Sequence, residues 1–197
     1  MVVVVAMVAI VDDISLMLPF IVFVPIKKST VSQARRRGIT PNDLDKIRLD
    51  NLLAVRTAEA CSLMLGMGRS FAVEQPALWG RGAVNAARMF DLDLFLDLRK
   101  RGAKTVQFDQ CRYGAGTTKP TELLFFNARF DRLNAKCNHP VVAWRQPRGK
   151  KIWAPHRPCV GTKTSTGEFA TSALSAYPKE LNLAIARIIA DSLVDAS

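Results

Sequence analysis

Thr105-Val106-Gln107-Phe108-Asp109-Gln110-Cys111-Arg112-Tyr113-Gly114-Ala115-Gly116-Thr117-Thr118-Lys119-Pro120-Thr121-Glu122-Leu123-Leu124-Phe125-Phe126-Asn127 reads as two short strands around a glycine-rich, cationic loop. The first strand, from Thr105 to Phe108, is β-branched and aromatic. The second, Glu122 to Phe126, is an apolar run bounded by Pro120 and Asn127, the pattern of a buried strand. Between them Gly114 and Gly116 permit positive φ and close backbone approach, and Arg112 and Lys119 supply cations. Such a loop can hold an anionic ligand. Its plain alternative is a hairpin loop with solvated charges.

Outward from that stretch, strands and helices alternate. Pro41-Asn42-Asp43 starts a helix with Asn42 or Asp43 as N-cap, ending at Gly66 or Gly68. Leu44, Ile47, Leu52, Val55 and Leu63 share one side of it, widened by Leu49, Leu53, Ala60 and Met64, so that side is expected to pack on a sheet. Phe71-Ala72-Val73 reads as a strand running into Glu74-Gln75-Pro76. In alternating α/β chains, a carboxylate at the carboxyl end of a buried strand sits where ligand chemistry is placed. Glu74 could donate a proton or hydrogen bond there, the alternative being a cap or an ion-paired residue. Arg88 to Lys100 reads as one helix ended by Gly102, and Phe130 to Ala135 as a short one. Pro178 starts a closing helix with a stripe of Leu181, Ala184, Ile185, Ile188, Ile189 and Leu193. The expected fold is a single α/β domain over residues 1–197, its sheet flanked by helices, with 136–170 as a basic, loop-rich insertion.

A chain of 197 residues is long enough for one domain with a substantial core. Its 49 % hydrophobic and 23 % charged residues exclude a disordered class. The net charge of +11 points to nucleic acid, DNA first, as partner; the alternative is a surface made basic for solubility. Four cysteines, at 61, 111, 137 and 159, form no disulfide framework, which favours a reducing, intracellular setting with the nucleus open as a location. Met1 to Val11 and Ile14 to Ile26 are apolar runs split by Asp12-Asp13. Each is shorter than the ~20 residues of a membrane span, and the acidic pair would lie in mid-bilayer. Two buried strands joined at Asp12-Asp13 are expected, with a membrane anchor as the alternative.

Three groups of residues are candidates for binding. Arg35-Arg36-Arg37 precede Gly38 in a polar segment and would add phosphate affinity that falls with salt. Trp144, Arg145, Arg148, Lys150, Lys151 and Trp153 interleave aromatics with cations, a composition that stacks on bases while attracting phosphates. Cys137-Asn138-His139 and His156-Arg157-Pro158-Cys159 hold both histidines of the chain. Cys137, His139, His156 and Cys159 are therefore a candidate tetrahedral zinc set, since thiolates and imidazoles suit that ion. The Cys-x-His half is tighter than common finger spacings, and loop packing or substrate contact is the alternative.

The order strand, Glu74-Gln75-Pro76, Trp79, helix, strand, Cys111-Arg112-Tyr113-Gly114, Lys119-Pro120-Thr121, strand resembles the later half of a DNA cytosine 5-methyltransferase-type domain, over roughly residues 20–193. In that family an Asn follows the catalytic Glu in an E-N-V or E-N-P motif; Glu74 matches the acid and Gln75 stands in place of the Asn. A later motif, Y-G-x-x-x-x-[RK]-x-R, is matched at Tyr113-Gly114 and Lys119, with Thr121 replacing its second arginine. The Tyr177-Pro178 helix is similar to the helix that closes the family's fold. The resemblance implies an incomplete Rossmann-like methyltransferase sheet flanked by helices. It also implies that Glu74 stabilises a protonated pyrimidine and that Arg112 and Lys119 position it.

Two departures qualify the activity. The family's catalytic cysteine lies in a Pro-Cys pair, and Pro25-Ile26 occupies the matching position. No Gly-x-Gly precedes Gly38, so S-adenosylmethionine would find a cradle only on a segment upstream of Met1. Ring attack without a thiolate lacks its nucleophile. The expectation is a degenerate or truncated relative that binds nucleic acid without independent cytosine methylation. The competing expectation is a non-enzymatic nucleic-acid-binding module of a mobile element or virus, with a Cys/His zinc site.

Overall fold

The two amino-terminal apolar segments, β1 (Val3–Met7) and β2 (Phe20–Val24), pair antiparallel from Val3↔Val24 to Met7↔Phe20. They belong to a computed structural model that describes residues 3–7, 20–24, 40–77, 88–145, 151–156 and 177–194. Asp12-Asp13, expected to join the pair, lies outside the described residues. No helix among the described residues is long and apolar enough to cross a membrane.

The glycine and proline punctuation places the next elements. Helix α1 (Pro41–Gly66) leads to β3 (Phe71–Pro76). A 3₁₀ turn at Met89–Asp91 precedes α2 (Asp93–Lys100), which leads to β4 (Lys104–Asp109). Residues 88–100 are thus not one helix: Leu92 is extended at φ −71°, ψ 144° and restarts the chain into α2. Arg99 and Lys100 in the last turn of α2 complement its dipole, and Gly102 at φ +107° makes the left-handed exit. After a 3₁₀ turn at Gln110–Tyr113, β5 (Pro120–Phe126) runs back between its predecessors, giving a sheet ordered β3-β5-β4.

Both outer strands oppose β5, so β3 and β4 run the same way, joined through α2 with β5 inserted in the gap. The expected mixed α/β class is what forms, yet every described strand pair is antiparallel, whereas a Rossmann-like sheet is built on parallel neighbours. The physical reason is the connection. Parallel neighbours need a crossover of about a dozen residues or more, while the turn after β4 only reverses the chain.

Both faces of this sheet are covered. Phe71, Val73 and Leu124 join Met89, Phe90, Phe95 and Leu98 in a core under α1 and α2. Ala72, Val106, Phe108, Leu123 and Phe125 join Phe130, Leu133, Leu181 and Ile188 in a second core under the closing helix α3 (Lys179–Val194). Two-sided burial explains why β3 and β5 read as nearly continuous apolar runs. Burying each phenylalanine contributes about 2–3 kcal/mol, so these two clusters dominate the fold's stability.

The face of α1 differs from expectation. Ala54, Thr57, Ala58 and Cys61 are the buried side chains, with Leu53, Ala60, Met64 and Leu65 packed beside them. Leu44, Leu49, Leu52, Val55 and Leu63 are exposed instead. Small side chains let the helix backbone approach closely, and the aromatic bulk that fills the interface comes from Phe71, Phe90 and Phe95 on the other side. Of the side chains expected to pack, Leu53, Ala60 and Met64 do, while the stripe through Leu44, Leu52, Val55 and Leu63 faces away.

Within the segment expected to be loop, β6 (Val142–Arg145) pairs with β7 (Lys151–Ala154) as an antiparallel hairpin, while residues 157–170 lie outside the described residues. These strands are four residues long and half charged or aromatic, too short for periodicity to show.

Candidate metal centre

The carboxyl end of β4 is where three distant segments meet. Asp109 ends the strand, and the 3₁₀ turn that follows carries Cys111. After β5 and a 3₁₀ turn at Phe130–Leu133, the chain returns alongside β4. Asp109 donates its backbone N–H to the Ala135 carbonyl at 2.9 Å. Its side-chain Oδ2 accepts the Cys137 N–H at 2.7 Å. Cys137 and His139 therefore lie beside Cys111, and the β6–β7 hairpin brings His156 back to the same place.

The donor atoms of Cys111, Cys137, His139 and His156 all lie within 4.8 Å of one another. Cys137 Sγ is 3.4 Å from His139 Nδ1 and 3.4 Å from His156 Nε2. The two imidazoles meet edge to face at 4.7 Å. Zinc–sulfur and zinc–nitrogen bonds of about 2.3 and 2.0 Å at a tetrahedral angle separate S and N by about 3.6 Å. The two Cys137–imidazole distances are close to that, so the set fits a zinc ion in donor type and number, and the remaining donors, within 4.8 Å, need only a small inward shift to close the shell.

The surroundings prepare the donors for a cation. Burial first, and the neighbouring His139 second, hold the His156 pKa below its ordinary value, which favours the neutral, ligating imidazole. A hydrogen bond to the Gly116 backbone acts the other way and orients the ring, as outer-shell acceptors do for metal-bound histidines. In the metal-free site, burial and then the hydrogen bond to Cys137 push the Cys111 thiol up to about 12. A cation reverses that preference by stabilising the thiolate. Asp109 supplies the second clue: it is buried, and its Oδ1 has no hydrogen-bond partner among the described residues. The Lys136 ammonium lies within electrostatic reach of Asp109, and a positively charged centre at the neighbouring donors would add to that attraction.

Of the sequence-derived zinc set, Cys137, His139 and His156 come together; Cys159 lies outside the described residues. The donor that the set omits is Cys111, which the sequence presents as part of the glycine-bordered loop. Arg35, Arg36, Arg37 and Lys150 also lie outside the described residues. Arg112 is exposed and hydrogen-bonds Asn138, so it sits at the rim of the cluster. On the hairpin, Trp144 is half-buried and donates its indole N–H to the Ala154 carbonyl at 3.0 Å, while Arg145 and Lys151 are exposed and directly opposed.

Glu74 and Lys119 form a separate polar group on the α3 side of the sheet. Glu74 is buried in β3 and accepts a hydrogen bond from Tyr177. The Lys119 ammonium lies 5.4 Å from the Tyr177 ring centroid. Burial lowers the lysine's pKa, and the attraction of Glu74 opposes that shift. Burial and then Glu74 push the Tyr177 phenol well above its ordinary range. Lys119 itself adopts φ +34°, a left-handed conformation that few residues other than glycine take up. Of the two cations expected beside Glu74, Lys119 lies within its electrostatic reach while Arg112 sits apart on Asn138; Tyr177 is the partner that sequence reasoning did not assign.

On the opposite face, Gln75, Glu122 and Gln107 make one cross-strand row. The Glu122 carboxylate accepts from Gln75 Nε2 at 2.9 Å, from Gln107 Nε2 at 3.3 Å and from the Arg88 guanidinium. Gln75 in turn accepts the Phe90 N–H at 3.3 Å, which ties β3 to the turn ahead of α2. The row ties β3, β4 and β5 to the turn ahead of α2 and reads as structural; Arg88 Nε has only the Asp91 carboxylate, at 3.7 Å, beside it.

Comparison of the chain with protein-family models, with curated proteins and with solved structures returned no match.

Proposed function

We propose that this chain is a nucleic-acid-binding domain in which a structural zinc ion, held by Cys111, Cys137, His139 and His156, fastens a basic hairpin to the end of the sheet. The observation that carries the reading is the mutual approach of the four donors within 4.8 Å, from segments on both sides of the hairpin. Four protein ligands close a tetrahedral shell, so the zinc would supply cross-linking rather than an open coordination position. The hairpin is four residues per strand, and a two-stranded ribbon of that size is marginal in water without a clamp at its base. The net charge of +11 and the cations on the hairpin supply the attraction for phosphates. Two free thiol ligands entail a reducing compartment, with DNA as the first partner to test.

The test measures metal and binding together on the full chain. Mass spectrometry of the purified protein is expected to give one zinc per chain. Fluorescence anisotropy is expected to show DNA affinity that weakens with salt and falls on chelation. A chain that holds no zinc, or binds equally well with and without it, removes the reading.

A second reading rests on Glu74, Lys119 and Tyr177 and keeps the cytosine methyltransferase kinship. In it, the Glu74 carboxyl group would face a pyrimidine and Lys119 would position it, with the methyl donor bound through another segment. Heat of S-adenosylmethionine binding to this chain would support it, and its absence at millimolar ligand would remove an independent activity.

A further inference from the structure

The two tryptophans of the hairpin have opposite roles, fixed by register. Ala143 opposes Trp153 and Arg145 opposes Lys151, so these four side chains share one face of the ribbon. Trp144 and Ile152 share the other face and are half-buried. Trp144 is an anchor, its indole N–H already satisfied by Ala154. Trp153 is 70 % exposed, with Arg145 and Lys151 exposed beside it. Neither strand carries an acidic residue.

This face is unfavourable for the chain alone on two counts. An exposed indole leaves a large apolar ring in water, and two cations directly opposed across a ladder repel. An anionic, aromatic ligand removes both costs at once: phosphates neutralise Arg145 and Lys151, and a base covers the indole. Duplex DNA meets only half of this description, because its base faces are already stacked on one another. A single strand presents both phosphates and free base faces.

We infer that the Arg145–Lys151–Trp153 face of the hairpin is a stacking platform for single-stranded nucleic acid, with Trp153 as the residue that contacts the base. The inference rests on the zinc-fastened nucleic-acid reading above and names its ligand class. Base stacking on an aromatic side chain is sequence-tolerant, so the platform accepts unpaired stretches of any sequence.

The experiment titrates the zinc-loaded full chain with labelled oligothymidylate, oligouridylate and a blunt duplex. Single strands are expected to bind more tightly than the duplex, with quenching of tryptophan emission. Trp153→Ala is expected to weaken single-strand binding by about 5- to 150-fold and duplex binding far less, and Trp153→Phe to restore most of the loss. Arg145→Gln with Lys151→Gln is expected to lower the salt slope by about 1.4, the value for two contacts to a single strand. Zinc content and the near-ultraviolet signal of a Trp79→Phe background, in which Trp144 is the indole left beside the varied position, report that the variants keep the hairpin. If duplex binds as tightly as single strands, or Trp153→Ala binds single strands like the parent, this inference falls and the broader reading stands. If the zinc-loaded chain binds none of the three ligands, the broader reading falls with it. The thymidylate and uridylate arms decide between DNA and RNA.

Discussion

Replacing Cys111 with serine separates the donor cluster seen in the structure from the set suggested by sequence spacing. Structural zinc in small domains binds with about 10–16 kcal/mol of apparent free energy near neutral pH. Shared over four donors, one ligand accounts for about 2.5–4 kcal/mol, or about 100- to 1,000-fold in dissociation constant. The measurement is a competition titration against a chromophoric chelator on the parent, Cys111→Ser and Cys159→Ser chains. Cys111→Ser is expected to weaken zinc by that factor and Cys159→Ser to leave it unchanged, since four donors already complete a tetrahedral shell without Cys159. The opposite result, a large loss at 159 and none at 111, would refute the assignment of Cys111 as the fourth ligand. Equal affinity in all three chains would sink the centre altogether.

Three further outcomes follow from the same geometry. Zinc uptake at pH 7 to 8 is expected to release at least the Cys111 proton, because that thiol sits at about 12 in the metal-free site while the bound form is a thiolate. Affinity should therefore rise with pH across this range, by about tenfold per unit for each proton released; calorimetry in buffers of different ionisation enthalpy counts the protons, and a buffer-independent heat would contradict it. Arg88→Ala removes the ion-pair partner that hydrogen-bonds the almost fully buried Glu122, leaving its glutamine donors and the field of Lys136. A loss of about 2–3 kcal/mol in urea unfolding is expected, recovered in part by adding Glu122→Gln, and a change below about 0.5 kcal/mol would show that the pair contributes little. Gly114 adopts φ +90°, and a Cβ there would stand 2.6 Å from Glu180 Oε2. Gly114→Ala should cost about 1–3 kcal/mol; adding Glu180→Ala should relieve the steric part and leave the backbone part, and unchanged thermal unfolding of the single variant would refute this.

Several elements were legible because their signals are local. Pro41 and Gly66 bracket α1, and apolar runs with proline or asparagine boundaries mark β3 and β5. Strand order was not local: a turn that merely reverses the chain after β4 made β5 an antiparallel insertion between β3 and β4. The buried side of α1 was also hidden, because the sheet and α2 supply the bulk and the helix contributes its small residues. The hairpin strands were too short to announce themselves.

The residues alone determined the chemical inventory: thiol and imidazole donors in Cys137, His139, His156 and Cys159, a chain with net charge +11, and a segment of aromatics among cations. Which of those groups share a volume was decided by packing. Cys111 became the fourth donor because the Asp109 carboxylate and backbone pin the returning chain against the end of β4. Trp144 became half-buried and Trp153 exposed because a two-residue period sends them to opposite faces of one ribbon. Proximity between segments distant in sequence is a property of the folded backbone, and spacing along the chain carries no record of it.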